Sequence, residues 1–185
     1  MKNSLPEIHS CSNKEDLLKQ IIDSHQALVN FYKEIPSTIF QDGAIPDGWS
    51  VKKNMKHVIS STNLFTLYLK LPKFFMKIFG KPKKNQKPIE EVVPTNRPNI
   101  KDFGKYTTAE IYKPREKEKI IQGILDSAEK LKKSVEKFSE NELNNLSVFL
   151  GISLRNFILI VLKHNIYHVN VARTRLINTS ESFQK

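Results

Sequence analysis

Apolar residues return every third or fourth position in four separate stretches of this chain, and nowhere alternate over the length of a strand between hairpin turns. That period places them on one stripe of a helix, so the pattern predicts an all-α fold. The first stretch runs from about Asn13 to Ile35, with Leu17, Ile21, His25, Leu28, Val29 and Tyr32 on the stripe, and Pro36 ends it. The second opens at Ser50, a good N-cap, and turns Val51, Met55, Val58, Ile59, Thr62 and Phe65 inward. The third starts at Pro114 in a first-turn position and ends near Phe138. After the polar stretch SENELNN and Gly151, Ser153 caps a fourth helix that reaches about Asn178.

Four helices of this length in one domain predict a four-helix bundle. Short connections favour antiparallel neighbours, whereas residues 72–113 are long enough to carry the chain back, which predicts an up-down-down-up order. Pro72, Pro82, Pro88, Pro94 and Pro98 make that crossover irregular. Residues 13–178 thus form the expected domain, with 1–12 a flexible leader and 179–185 a tail.

With 185 residues, 39% of them hydrophobic, the chain needs no disulfide to hold a core, and its single cysteine, Cys11, could form none internally. The opening lacks the apolar region of a secretory signal, and the longest apolar run, Phe157 to Leu162, is too short to cross a bilayer. A cytoplasmic location is the resulting expectation. The formal charge is +11, but residues 72–119 hold 13 basic against 6 acidic residues, so most of the excess sits in the crossover. No helix-turn-helix, zinc-finger or RNA-binding signature accompanies it, which argues against a nucleic-acid reader.

The fourth helix carries His164 and His168 in HNIYH. Side chains four apart on a helix share a face, with Cβ atoms about 5–6 Å apart, so both imidazoles can reach one cation. The glutamate of the zinc-protease pattern is missing between them, which argues against a metalloprotease. Val161, Val171 and Ala172 lie on the same side, so the pair faces inward, where polar rings need partners. His57, in GWSVKKNMKHV on the second helix, supplies a third imidazole, and three from two helices leave a coordination position open. The bland alternative is a set of hydrogen-bonded core histidines.

GWSVKKNMKHV followed, after a long gap, by HNIYHVNVARTRL resembles the DinB-like superfamily of metal-dependent four-helix bundles, which includes bacillithiol S-transferase-like members. The match consists of Trp49, Ser50, His57, His164 and His168. The resemblance implies a divalent metal held by His57, His164 and His168, and a thiol-dependent transfer to a small electrophilic substrate with a low-molecular-weight thiol as cofactor. The 107-residue separation of the first two ligands is long for the family.

Zinc and nickel both suit imidazole. A bound metal would create a nucleophile from a thiol or water near neutral pH. No general base stands out, so metal-dependent hydrolysis is a secondary expectation. The rival class is a non-catalytic binding protein that uses its pocket or basic loop for a ligand, a second subunit or a membrane.

Among other candidates, His25 is expected to be a hydrogen-bonded core residue, His9 solvated, and Trp49 a packing anchor. Asn165, Tyr167, Arg173 and Arg175 flank the histidine pair and could tune it. The segment NLFTLYLKLPKFFMKIFGKPKK mixes aromatics with lysines. Phe74, Phe75, Met76, Ile78 and Phe79 are expected to bury against the bundle or a second subunit in a homodimer.

Overall fold

The computed structural model describes residues 5–36, 50–94, 116–148 and 151–182. Among these, six helices and one two-stranded hairpin occur, so the chain is all-α in character. Helix α1 spans Lys14–Glu34, α2 Val51–Leu69, α3 Lys73–Ile78, α4 Glu116–Glu136, α5 Glu140–Asn145 and α6 Leu154–Ser182. A 3₁₀ turn covers Ile89–Glu91.

The helix starts follow from local chemistry. Asn13 accepts from the Asp16 amide at 2.7 Å, and Glu15 and Asp16 sit at the positive end of the α1 dipole. Ser50 caps α2 through the Lys53 amide, and Ser153 caps α6 through the Asn156 amide at 3.3 Å, as anticipated. The Pro114 start and Trp49 lie outside the described residues.

The SENELNN stretch is more than a connector. Ser139 and Glu142 form a reciprocal capping box that starts α5, which leads into strands β1 (Ser147–Val148) and β2 (Ile152–Ser153), paired antiparallel. Gly151 sits before β2 at φ +71, a conformation that favours glycine.

Helix α4 packs against both α1 and α2, and α6 against the same two. The end of α1 meets the start of α4, where the buried Lys117 ammonium donates to the Lys33 and Ile35 carbonyls, and Lys14 near the start of α1 reaches Phe138 just beyond α4. Gly123 on α4 lies so close to α2 that a Cβ there would stand 3.1 Å from Ile59 Cδ1. Leu17, Ile21, Leu28, Met55, Val58, Ile124, Leu131, Ile158 and Leu162 fill the core between these helices.

Two stretches behave differently from their sequence. Within the segment set apart as a leader, Ile8 is buried, and the Ser10 amide and hydroxyl both donate to the Glu90 carboxylate. In α3 only Met76 is buried; Phe74, Phe75, Ile78 and Phe79 remain exposed, so the anticipated burial against the bundle does not occur within the chain. This helix makes less than two turns, and Met76 is the one side chain it inserts.

Candidate metal centre

His57 sits two turns into α2, and His164 and His168 sit one turn apart on α6. Their nitrogens converge: Nε2 of His164 lies 3.2 Å from Nε2 of His57 and 3.1 Å from Nε2 of His168. One nitrogen from each ring falls within 4.8 Å of the others, and the three rings are half-buried. The structure thus brings together the three residues that the sequence singled out.

The geometry suits a shared cation. Nitrogens held at about 2.0–2.1 Å from one tetrahedral centre lie roughly 3.3 Å from each other. Nε2 of His164 faces both other rings. A neutral imidazole nitrogen either carries a proton or offers a lone pair, and a cation shared by the three rings takes a lone pair from each.

Electrostatics point the same way. Burial lowers the pKa of all three rings, and mutual repulsion adds to this for His57 and His168, taking His168 down to about 3. The cluster is therefore neutral at pH 7, the form in which imidazole binds metals.

Polar clamps hold α2 against α6 on either side of the triad. One turn before His57, buried Asn54 accepts from the Tyr32 hydroxyl at 2.5 Å and donates to the His168 carbonyl at 3.2 Å. One turn after it, Ser61 donates to Asn165 Oδ1 at 2.7 Å, and Asn165 Nδ2 donates to Thr62 at 2.9 Å. Asn165 is thus an interhelix tie and does not face the histidines as a tuning partner. The crossover closes a third side: Lys163 donates to the Ile89 and Glu90 carbonyls, holding the turn that leads to Pro94.

Asn54 escaped the sequence reading. The available signal was an amide three residues before a candidate ligand on an otherwise apolar stripe.

His25 lies apart, as anticipated, with Nδ1 2.7 Å from the Ile21 carbonyl and Nε2 3.3 Å from the Thr62 hydroxyl. Tyr167 sets its ring edge-on to His168. The Arg175 side chain lies outside the described residues. No family model, curated protein or solved structure matches the chain.

Proposed function

We propose that this protein is a divalent-metal-dependent enzyme of DinB-like type, carrying out thiol-dependent transfer to a small electrophilic substrate. The single observation that carries the reading is the convergence of His57, His164 and His168 from two helices. His57, His164 and His168 would hold zinc or nickel, and the metal, when bound, would lower the pKa of a coordinated thiol. The chain's own part is positional. Asn54, Ser61 and Asn165 fix the approach of the two ligand-bearing helices.

The proposed architecture is an up-down-down-up bundle of α1, α2, α4 and α6. Supporting it, the start of α2 faces the end of α1 through Asn54 and Tyr32, while mid-helix Thr62 faces His25. Lys52 and Glu116 pair at the starts of α2 and α4, with Ile59 beside Gly123 further along both. Along α2, His57 meets α6 at His164, and Phe65 meets it earlier at Phe157.

The test has two stages. Elemental analysis of the purified protein should find about one zinc or nickel per chain, lost in His164→Ala. A panel of low-molecular-weight thiols with electrophilic acceptors should then show turnover that depends on that metal. Absence of stoichiometric metal after incubation with zinc or nickel removes the reading.

A further inference from the structure

We infer that the exposed face formed by the second half of α2 and by α3 docks on the surface of an anionic phospholipid bilayer. The apolar part is continuous in sequence and spacing. Leu64, Leu67 and Leu71 recur along one side of α2 and just past its end, 71%, 61% and 43% exposed. In and after α3, Phe74, Phe75, Ile78 and Phe79 are exposed as well, with Ile78 at 72%. The Phe79 ring lies 6.5 Å from that of Tyr68 on α2, which joins the two parts. Met76 alone is buried and anchors α3 to the rest of the chain. A soluble monomer rarely leaves so many large apolar side chains in water together without a surface to meet.

Charge identifies the occupant. Residues 64–88 contain seven lysines and no acidic residue. A second copy docking through the same face would set lysine against lysine, in a chain whose formal charge is already +11. A bilayer with anionic headgroups supplies both requirements at once: phosphates at the height of the ammonium groups and acyl chains beneath for the rings and aliphatic side chains. Beside the patch, α3 and α5 enclose an open cleft of about 530 Å³. Lys73, Lys77 and Lys81 line it opposite Asn141 and Asn145, and Glu142 on the α5 side is paired with Lys73 at 2.6 Å. The cleft gives headgroup phosphates donors from two sides. Docking is peripheral, since no helix among the described residues is long and apolar enough to cross a membrane.

Flotation of the full chain with liposomes tests this. Vesicles of phosphatidylcholine with about one third phosphatidylglycerol should bind at least about tenfold more protein than phosphatidylcholine alone, and high salt should erase most of the difference. Lys77→Ala with Lys81→Ala should weaken binding by about fivefold per lysine. Phe75→Ser with Ile78→Ser should weaken it comparably while leaving the circular dichroism spectrum and melting temperature unchanged, because both side chains are exposed; Leu67→Ser provides an independent second probe. Three results overturn the inference: no binding to the anionic vesicles, binding indifferent to the apolar substitutions, or a concentration-dependent dimer abolished by Phe75→Ser with Ile78→Ser in a chain that ignores vesicles.

Discussion

Asn54 donates its amide to the backbone carbonyl of His168, so a residue one turn from the first candidate ligand grips the backbone of the third. The contact crosses between the two helices that carry the triad. It sets their spacing and rotation where the imidazoles must meet, and Tyr32 fixes the other end of the same amide. Asn54→Leu keeps the volume and removes both bonds. Leaving buried polar partners unmet costs about 1–3 kcal/mol of stability, and loosening the support of a ligand weakens metal affinity by about 10–100-fold. Competition with a chromophoric chelator measures the second effect and urea unfolding the first. An unchanged affinity would show that the triad's alignment does not depend on this clamp.

A ligand that binds only the folded chain stabilises it. Zinc at about a hundred times its dissociation constant adds about 2.7 kcal/mol, which for a chain of this size raises the melting temperature by about 5–10 °C. His164→Ala should abolish the rise, because its Nε2 faces both other rings. His25→Gln should lower the baseline and keep the rise, since both nitrogens of His25 are engaged with Ile21 and Thr62 away from the triad. Calorimetric scans with and without zinc separate the two.

The four long helices and the His164–His168 pair were legible in the sequence because each rests on local chemistry, whereas His57, 107 positions before His164, joins the pair only through the packing of two helices. The Asn13, Ser50 and Ser153 caps, the apolar period and the four-residue histidine spacing all lie within a turn or two of what they determine. The missing parts depend on distant partners. Ser10 is held by Glu90, 80 positions away, and the crossover meets α6 where Lys163 donates to the Ile89 and Glu90 carbonyls, more than 70 positions back along the chain. Met76 buries as its apolar character predicts, whereas Phe74, Phe75, Ile78 and Phe79 stay exposed on the single chain, and only the docked position of Met76 reveals which side of so short a helix faces in.

The histidines make metal-free stability depend on pH in a definite direction. In the unfolded chain each takes its proton near pH 6.5. In the folded chain burial holds His57, His164, His168 and His25 below that, with His168 at about 3. Between the two values the unfolded state binds more protons, so stability is complete above about pH 6.5 and declines as the pH falls through the range below it. Urea midpoints in the presence of a chelator should hold nearly level from pH 7.5 to about 6.5 and then drop toward pH 5, and His164→Gln with His168→Gln should flatten that drop. A midpoint that rises or holds level in acid contradicts these depressed affinities for protons.

Cys11 bears on whether the transferred group could come from the protein itself. Its thiol is half-buried beside Arg155, whose guanidinium is paired with Glu140 and also donates to Asn144. Burial raises the thiol's pKa, and the hydrogen bond and charge of Arg155 offset only part of that rise. Since the thiolate is the reactive form, Cys11 is the opposite of an activated nucleophile. A chromogenic disulfide at pH 8 should label the folded chain several-fold more slowly than the urea-unfolded chain, and Cys11→Ser should retain metal uptake and all turnover with an added small thiol. Fast stoichiometric labelling of the native protein would contradict the raised pKa, and turnover lost with Cys11→Ser would show that the Cys11 thiol takes part in the transfer.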